Sequence, residues 1–312
     1  MSSGVARDRA RSASDGWVLV GGVRVAVRDH GGDGPGLVLL HGVGGNLETM
    51  DPLAERFGGH RVIAFDLPGC GWSGRIGDLD TDPIGTMADA LHGVILHFGL
   101  DAPDLLGHSL GGMVAARYAA RHGEANGGGR LVSIDGFPPG HLTVADTDGQ
   151  AVHQAWLVGA RRELEQMTEA PVVQDAAERQ RQAASMRGWL TASRMDLPNL
   201  DAVIDRQFLA RGDGTSLRRP DRAIISGAFA RDVDVLADYR ATTAPTLIIR
   251  CTEWAPPPID EDLADLAKSR PGVDVIAFAG SHLSPAWERV DDAAAVVEEF
   301  WARHPRPGDG RS

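Results

Sequence analysis

A serine stands at a sharp corner between a predicted strand and a predicted helix. Residues 107–111 read Gly-His-Ser-Leu-Gly; the apolar stretch 104–106 precedes them and the Ala-rich segment 112–120 follows them. A serine at such a strained corner presents its hydroxyl to solvent, and flanking glycines let neighbouring backbone pass closely. The stretch therefore predicts a strand, a tight turn and a helix that expose Ser109 as a nucleophile.

Short apolar runs, many rich in β-branched residues, recur on both sides of this corner. Segments of helical length separate most of them, a pattern typical of a buried parallel sheet in a doubly wound α/β protein. The predicted strands are 37–40, 62–65, 105–106, 131–134, 247–249 and 273–278. The predicted crossover helices are 47–57, 84–98, 110–122, 260–269 and 290–304. Stretches 18–20 and 23–27 flank a Gly-Gly pair, which predicts an opening antiparallel hairpin.

The strand signal disappears in the middle of the chain, and amphipathic helical spacing replaces it at 152–167, 171–195 and 200–210. An insertion at the carboxyl edge of a parallel sheet lies over the place where such sheets bind ligands. We therefore expect a helical cap that covers the substrate. The predicted organisation is a disordered leader (1–16), a core (17–138 and 245–304), a helical cap or lid (139–244) and a flexible tail (305–312).

Composition narrows the class of partner and compartment. A net charge of -12 and a pI near 5.3 argue against nucleic acid and against anionic membrane surfaces as partners. Two cysteines, Cys70 and Cys251, are too few for a disulfide framework, and no apolar stretch is long enough to span a bilayer. We expect a cytoplasmic protein. No P-loop and no cluster with metal-ligand spacing is present, so we predict neither cofactor nor metal.

Four segments in a fixed order carry a family resemblance. Residues 41–45 read His-Gly-Val-Gly-Gly, 66–73 read Asp-Leu-Pro-Gly-Cys-Gly-Trp-Ser, 107–111 form the serine corner, and 280–282 read Gly-Ser-His. Over roughly residues 17–303 the chain resembles the α/β-hydrolases, in which the serine corner is the nucleophile elbow. The resemblance implies a mostly parallel central sheet flanked by helices, with an inserted helical lid.

Acyl transfer needs a nucleophile, a base, a group that orients the base, and donors for the oxyanion. Ser109 is the expected nucleophile, and the backbone N–H of Leu110 at the start of the next helix is an expected oxyanion donor. The resemblance implies Val43 N–H as the second donor and His282 as the general base. It also implies that His41 and His108 are local scaffold and carry no proton in the reaction.

Two carboxylates are candidates for the acid that orients His282. The commonest arrangement in the family puts an aspartate after the penultimate strand, where this chain has Glu253 about one residue from the expected place. Other branches put the acid after the strand that follows the elbow helix, and Asp135 stands there. Either carboxylate would hold the imidazole tautomer. We favour Asp135 and keep Glu253 as the alternative.

A serine nucleophile points to carbonyl substrates. We expect a serine hydrolase that cleaves a carboxylic ester or lactone of a small to medium hydrophobic substrate through an acyl-enzyme. Thioester, amide and C–C bond hydrolysis on the same triad are alternatives, and so is a non-catalytic ligand receptor or pseudoenzyme. The predicted partner is a small-molecule substrate, and the oligomeric state stays open. Five arginines of the predicted lid are expected to be solvated charges rather than carboxylate receptors: Arg161, Arg162, Arg181, Arg187 and Arg194.

Overall fold

Eight strands form one central sheet in a computed structural model of the chain. The structure describes residues 13–77, 79, 81–123, 129–137, 171–192, 197–224, 228, 234–253, 259–283 and 285–306. The strands of this sheet are β1 (Ser14–Val20), β2 (Val23–Gly31), β3 (Gly36–Leu40), β4 (Arg61–Phe65), β5 (Asp104–His108), β6 (Leu131–Ile134), β10 (Thr246–Cys251) and β11 (Val273–Phe278). Their order in space is β1-β2-β4-β3-β5-β6-β10-β11.

The sheet is mostly parallel. β1, β2 and β4 pair antiparallel in turn, and every pairing from β4 through β11 is parallel. The predicted parallel α/β sheet is confirmed, as is the opening hairpin. Because the parallel strands run in one direction, the loops that follow β3, β5, β6, β10 and β11 emerge along one edge.

Helices cover both faces of this sheet. They are α1 (Asp51–Ala54), α2 (Pro83–Phe98), α3 (Leu110–His122), α6 (Val235–Ala241), α7 (Ile259–Ser269) and α8 (Val290–Arg303). Side chains of β3 alternate between two apolar cores: Val38 and Leu40 pack with α2, α3, α6 and α7, and Leu37 and Leu39 pack with α1 and α8. This period of two is what a strand buried on both faces requires.

The helix α2 shows how local sequence sets an element's ends. Asp82 caps its first turn by accepting a hydrogen bond from Gly85 N at 2.9 Å, and Pro83 occupies the first helical position, where no N–H is needed. Gly99 ends the helix in the left-handed conformation at φ 59°.

The segment between β6 and β10 differs from its prediction. Its described part contains helices α4 (Ala176–Ala192) and α5 (Leu200–Asp205) and three strands, β7 (Val172–Val173), β8 (Phe208–Ala210) and β9 (Ser216–Arg218). The strands form an antiparallel sheet in the order β7-β9-β8. The prediction of helix alone was wrong at these strands because two- and three-residue strands are too short to show a period. The predicted helix 152–167 lies outside the described residues.

The predicted disordered leader and the predicted flexible tail each include residues that the structure places in the fold. β1 begins at Ser14, inside the predicted leader, and pairs with β2 over its whole length. At the other end, Arg306 donates to the carbonyl of Gly36 at 2.9 Å and lies 2.9 Å from Asp104. In the described part of the chain, no helix combines the length and apolarity that crossing a bilayer requires.

The helix after the serine approaches the sheet so closely that only glycine fits. A Cβ built on Gly111 would lie 2.3 Å from the carbonyl oxygen of Leu40 and 2.8 Å from that of His41. Both atoms belong to backbone, so neither can move aside cheaply. A Cβ on Gly107 would lie 2.3 Å from the Gly111 carbonyl carbon. These contacts fix the distance between α3 and strands β3 and β5.

We expect Gly111→Ala to lower the free energy of unfolding by about 1–3 kcal/mol, because the added methyl forces α3 away from β3. Gly58→Ala is the matched control, since a Cβ at Gly58 meets nothing within 4 Å; we expect its effect to stay within about 0.5 kcal/mol. Urea unfolding followed by circular dichroism measures both. Equal midpoints for the two variants would contradict the close approach.

Candidate active site

Ser109 occupies a strained corner between β5 and α3. Its backbone angles are φ 53° and ψ −121°, a conformation that a residue with a side chain rarely adopts. Ser109 N–H donates to the Ile134 carbonyl at 2.7 Å, and the Ser109 carbonyl accepts from Gly112 N at 2.9 Å. The corner is thus held from both sides, and Leu110 N–H stands at the start of α3.

The loop after β3 passes directly over the serine. A Cβ on Gly42 would lie 3.0 Å from the Cβ of Ser109 and 2.9 Å from Nδ1 of His108. Gly45 N donates back to the Gly42 carbonyl at 3.0 Å, which closes a tight turn around Val43. The structure therefore brings the loop that carries Val43 next to Ser109.

Asp135 and His282 meet at the same edge. Nδ1–H of His282, in the loop after β11, donates to Oδ2 of Asp135 at 3.0 Å. The other carboxylate oxygen of Asp135 accepts from Cys251 N at 2.8 Å, at the end of β10. Asp135 is 1% exposed, and its own N–H donates to Ile249 at 2.8 Å. A proton held on Nδ1 gives Nε2 of His282 the lone pair that a general base needs.

Glu253 lies elsewhere. Its backbone N–H donates to the Gly280 carbonyl at 3.0 Å, but its side chain is exposed. Of the two carboxylates that the sequence offers, the structure brings Asp135 to the imidazole of His282 and leaves Glu253 at the surface.

His41 and His108 are both buried and hydrogen-bonded to backbone. Nε2 of His41 accepts from Leu67 N at 3.0 Å, so Nδ1 carries the proton and donates to the Gly42 carbonyl at 2.8 Å. Burial lowers the pKa of His41. Nε2–H of His108 donates to the His282 carbonyl at 2.9 Å, and burial, with the nearby His282, lowers its pKa to about 3. Both imidazoles are therefore neutral near pH 7 and serve as rigid supports.

Sequence reasoning did not foresee that His108 supports the loop of His282. The two rings lie 4.5 Å apart, and the Trp287 ring lies 5.6 Å from that of His108. The Trp287 indole N–H in turn donates to the Thr49 carbonyl at 2.9 Å. These long-range contacts join residues more than 150 positions apart, so no local pattern in the chain announces them.

Asp66 ties the core to the inserted segment. Its Oδ1 accepts from Leu47 N at 2.8 Å, and its Oδ2 accepts from Trp72 N and from Arg206 Nε, each at 2.8 Å. Arg206 is almost fully buried, bonds Glu48 at 3.1 Å and lies over the Trp72 ring at 4.2 Å. Its buried partner Arg206 lies 140 residues away along the chain, so no local sequence pattern reveals this pair.

Two side-chain amides, one from each side, join the inserted segment to the loop that carries Val43. Gln207 Nε2 donates to the Gly44 carbonyl at 2.9 Å, and Asn46 Nδ2 donates to the Val203 carbonyl at 2.9 Å. The inserted segment thus contacts the loop after β3 on both sides of Gly45.

The two cysteines and the metal-ligating side chains of the described residues form no second reactive site. Cys70 and Cys251 are free and buried, and burial raises the pKa of both thiols, which keeps them protonated. Within the described ranges, no group of three or more His, Cys, Asp or Glu side chains is arranged to hold a metal ion.

Comparison with curated proteins gives partial matches to enzymes. The chain is 32% identical over 164 residues to the dihydrolipoyllysine-residue acetyltransferase component of the acetoin cleaving system of Cupriavidus necator, covering 48% of this chain and 38% of that protein. It is 34% identical to 2-succinyl-6-hydroxy-2,4-cyclohexadiene-1-carboxylate synthase of Serratia proteamaculans, covering 42% and 50%. It is 42% identical to pimeloyl-[acyl-carrier protein] methyl ester esterase of a Shewanella species, covering 30% and 33%. The matches thus span half or less of each relative.

Solved structures match nearly the whole chain. E-2-(acetamidomethylene)succinate hydrolase superposes with a TM-score of 0.71 at 20% identity, covering 93% of this chain and 99% of the other. An esterase of Mycobacterium tuberculosis superposes with a TM-score of 0.65 at 22% identity, and the match covers 93% of this chain and 92% of the esterase. The enol-lactonase of Burkholderia xenovorans gives 0.60 at 18%, covering 92% and 100%. At these identities the likeness shows the fold.

A family model settles the family. The model of the alpha/beta hydrolase fold matches residues 35–217, which is more than half of the chain and includes the loop after β3 and the serine corner. With the mostly parallel sheet and the order of its strands, this match confirms the resemblance found in the sequence: the chain belongs to the α/β-hydrolase fold family.

Proposed function

We propose that this protein is a serine hydrolase that cleaves a carboxylic ester or lactone of a small to medium hydrophobic substrate through an acyl-enzyme. The observation that carries the proposal is the 3.0 Å hydrogen bond from His282 Nδ1 to Asp135, at the sheet edge where Ser109 turns. Esterases and a lactonase among the similar proteins support it.

The roles follow from the chemistry of each group. His282 takes the proton of Ser109 through Nε2 while the hydroxyl oxygen attacks the substrate carbonyl. Asp135 stabilises the imidazolium that forms, and the N–H groups of Val43 and Leu110 receive the negative charge of the tetrahedral intermediate. His282 then returns the proton to the departing alkoxide, which leaves an acyl-Ser109. Water, activated by the same imidazole, releases the acid and restores the serine.

The inserted segment fits the role of a lid. Its described part bonds the loops after β3 and β4 through Gln207 and Arg206. It also contributes Val173, Leu190, Ile204 and Phe208 to an apolar cluster with Leu283 and Trp287, residues of the loop after β11. An apolar cover next to His282 suits a hydrophobic acyl group. We propose that the inserted segment up to α6 caps the site, and that the protein works in the cytoplasm without a cofactor. The predicted cap of residues 139–244 is too long at its end, because α6 packs against the central sheet.

Ser109→Ala is expected to lower ester turnover by about 10⁴-fold or more, because no other hydroxyl replaces the nucleophile. The assays are hydrolysis of short p-nitrophenyl esters and covalent labelling by a fluorophosphonate probe. Ser281→Ala, which removes a hydroxyl beside the base, is the control and should still be labelled. A Ser109→Ala protein that keeps near wild-type turnover would refute the scheme, and a wild-type protein that binds ligand without labelling would favour a receptor.

Asp135→Asn is expected to lower kcat by about 10²- to 10⁴-fold, because an amide N–H facing Nδ1 of His282 selects the wrong tautomer. Glu253→Gln is the matched control, since its side chain is exposed; we expect kcat within about twofold of wild type. Thermal unfolding of both variants checks that each remains folded. An equal loss of kcat in the two would remove Asp135 from its proposed role.

A further inference from the structure

Within the described residues, one half-buried guanidinium of the inserted segment has no acid partner, unlike two of the buried arginines of the fold. Arg130 forms a two-point pair with Asp104, at 2.6 and 3.0 Å, and Arg206 binds Asp66 at 2.8 Å. Arg218, in β9, is half-buried. Within the described residues its head group contacts only the Arg219 carbonyl at 3.4 Å, Met186 Sδ at 4.0 Å and the ring of Phe208.

Arg219, the next residue along the chain, also has no carboxylate partner within the described residues, but it makes shorter hydrogen bonds than Arg218 does. Arg219 donates from its two terminal nitrogens to the carbonyls of Gly69 and Ser73, at 3.1 and 2.9 Å, which ties β9 to the loop after β4. Arg218 makes one long hydrogen bond to a carbonyl and one to the Met186 sulfur, and its guanidinium carbon lies over the Phe208 ring. Most of its five N–H donors therefore have no protein acceptor within the described residues.

Arg218 faces the side of the small sheet that packs toward the base. It is the cross-strand partner of Phe208, and its guanidinium carbon lies 5.1 Å from the centre of that ring. Cross-strand partners share a face. Phe208 and Met186 belong to one apolar cluster with Leu283, the residue after His282. The guanidinium thus borders the apolar surface that reaches the proposed catalytic histidine.

A half-buried cation without an acid is a poor structural element. Removing a charge from water costs free energy that a partner normally offsets. Burial lowers the pKa of Arg218 to about 10, so the group still carries its full charge near pH 7. A single planar cation with free parallel donors matches a carboxylate, which has one negative charge and two oxygens at the matching spacing.

We propose that Arg218 binds a carboxylate of the substrate, so that the preferred substrates are esters or lactones that bear an acid group at the end of an apolar chain. The inference rests on the proposed function, since it defines the substrate class of that site. It also gives the apolar cluster a role: Phe208, Met186 and Leu283 would contact the hydrocarbon part of the substrate, which joins its ester to its carboxylate.

The kinetic test compares p-nitrophenyl half-esters of the straight-chain diacids from succinate to suberate with neutral p-nitrophenyl esters of equal chain length. We expect wild type to prefer one or more of the half-esters. Arg218→Met should lower the ratio of kcat/KM for the best half-ester to that for its neutral match at least fivefold, mainly through KM. Arg218→Lys keeps the charge and loses the paired parallel donors of the guanidinium, so we expect its kcat/KM ratio to lie between those of wild type and Arg218→Met.

Arg179→Met is the matched control. Arg179 lies over the same Phe208 ring, at 5.4 Å, but it is paired with Asp205. We expect its ratio to stay within twofold of wild type. A fall of less than fivefold in Arg218→Met, an equal fall in Arg179→Met, or a wild type that prefers every neutral ester would overturn the proposal.

A binding measurement separates this site from the proposed chemistry. Calorimetric titration of Ser109→Ala with the monomethyl esters of the same diacids needs no turnover. We expect binding that Arg218→Met weakens at least fivefold in the Ser109→Ala background. Such binding with no esterase activity in the wild type would refute the proposed hydrolase function and support the carboxylate site. Ester turnover without Arg218-dependent binding would support the hydrolase function and refute the carboxylate site.

Discussion

The close approach of α3 to the sheet is the constraint on which the rest of the molecule depends. A Cβ at position 111 would clash with the carbonyl oxygen of Leu40, and a Cβ at position 107 would clash with the carbonyl carbon of Gly111. This contact places the start of α3 against strands β3 and β5, so the chain must turn sharply between β5 and α3. Ser109 bears the strain of that turn at φ 53°. Packing elsewhere offsets the cost of the strained conformation, of order 1–3 kcal/mol.

From this corner the site is assembled by backbone hydrogen bonds as much as by side chains. Cys251 N–H donates to one oxygen of the Asp135 carboxylate and so orients the other oxygen toward His282. His108 donates to the backbone carbonyl of His282. The imidazole is therefore oriented from two strands at once. Preorganisation of this kind matters to the proposed chemistry, because a base that moves by 1 Å loses much of its rate advantage.

Local motifs predicted more than distant contacts could. The strands at 37–40 and 131–134 were predicted from short apolar runs, and the helix at 110–122 from the serine corner and the Ala-rich segment after it, because each of these signals lies in the segment's own residues. The sequence favoured Asp135 and kept Glu253 as an alternative, since local residues do not reveal how β6, β10 and the loop after β11 lie side by side. The short strands β7, β8 and β9 carry too few residues for any period, so only tertiary pairing reveals them.

The charges of the inserted segment divide into two kinds. Arg206 and Arg219 are buried against Asp66 and backbone carbonyls of the core, and Arg187 pairs with Asp201 within the segment; these groups hold the segment in place or stabilise its surface. Arg218, at the end of β9, does neither within the described residues. Within the described residues the segment bonds its anchoring cations to the core and leaves Arg218 without an acid, beside an apolar cluster that includes Leu283 of the His282 loop. That placement is what a site for a substrate carboxylate requires.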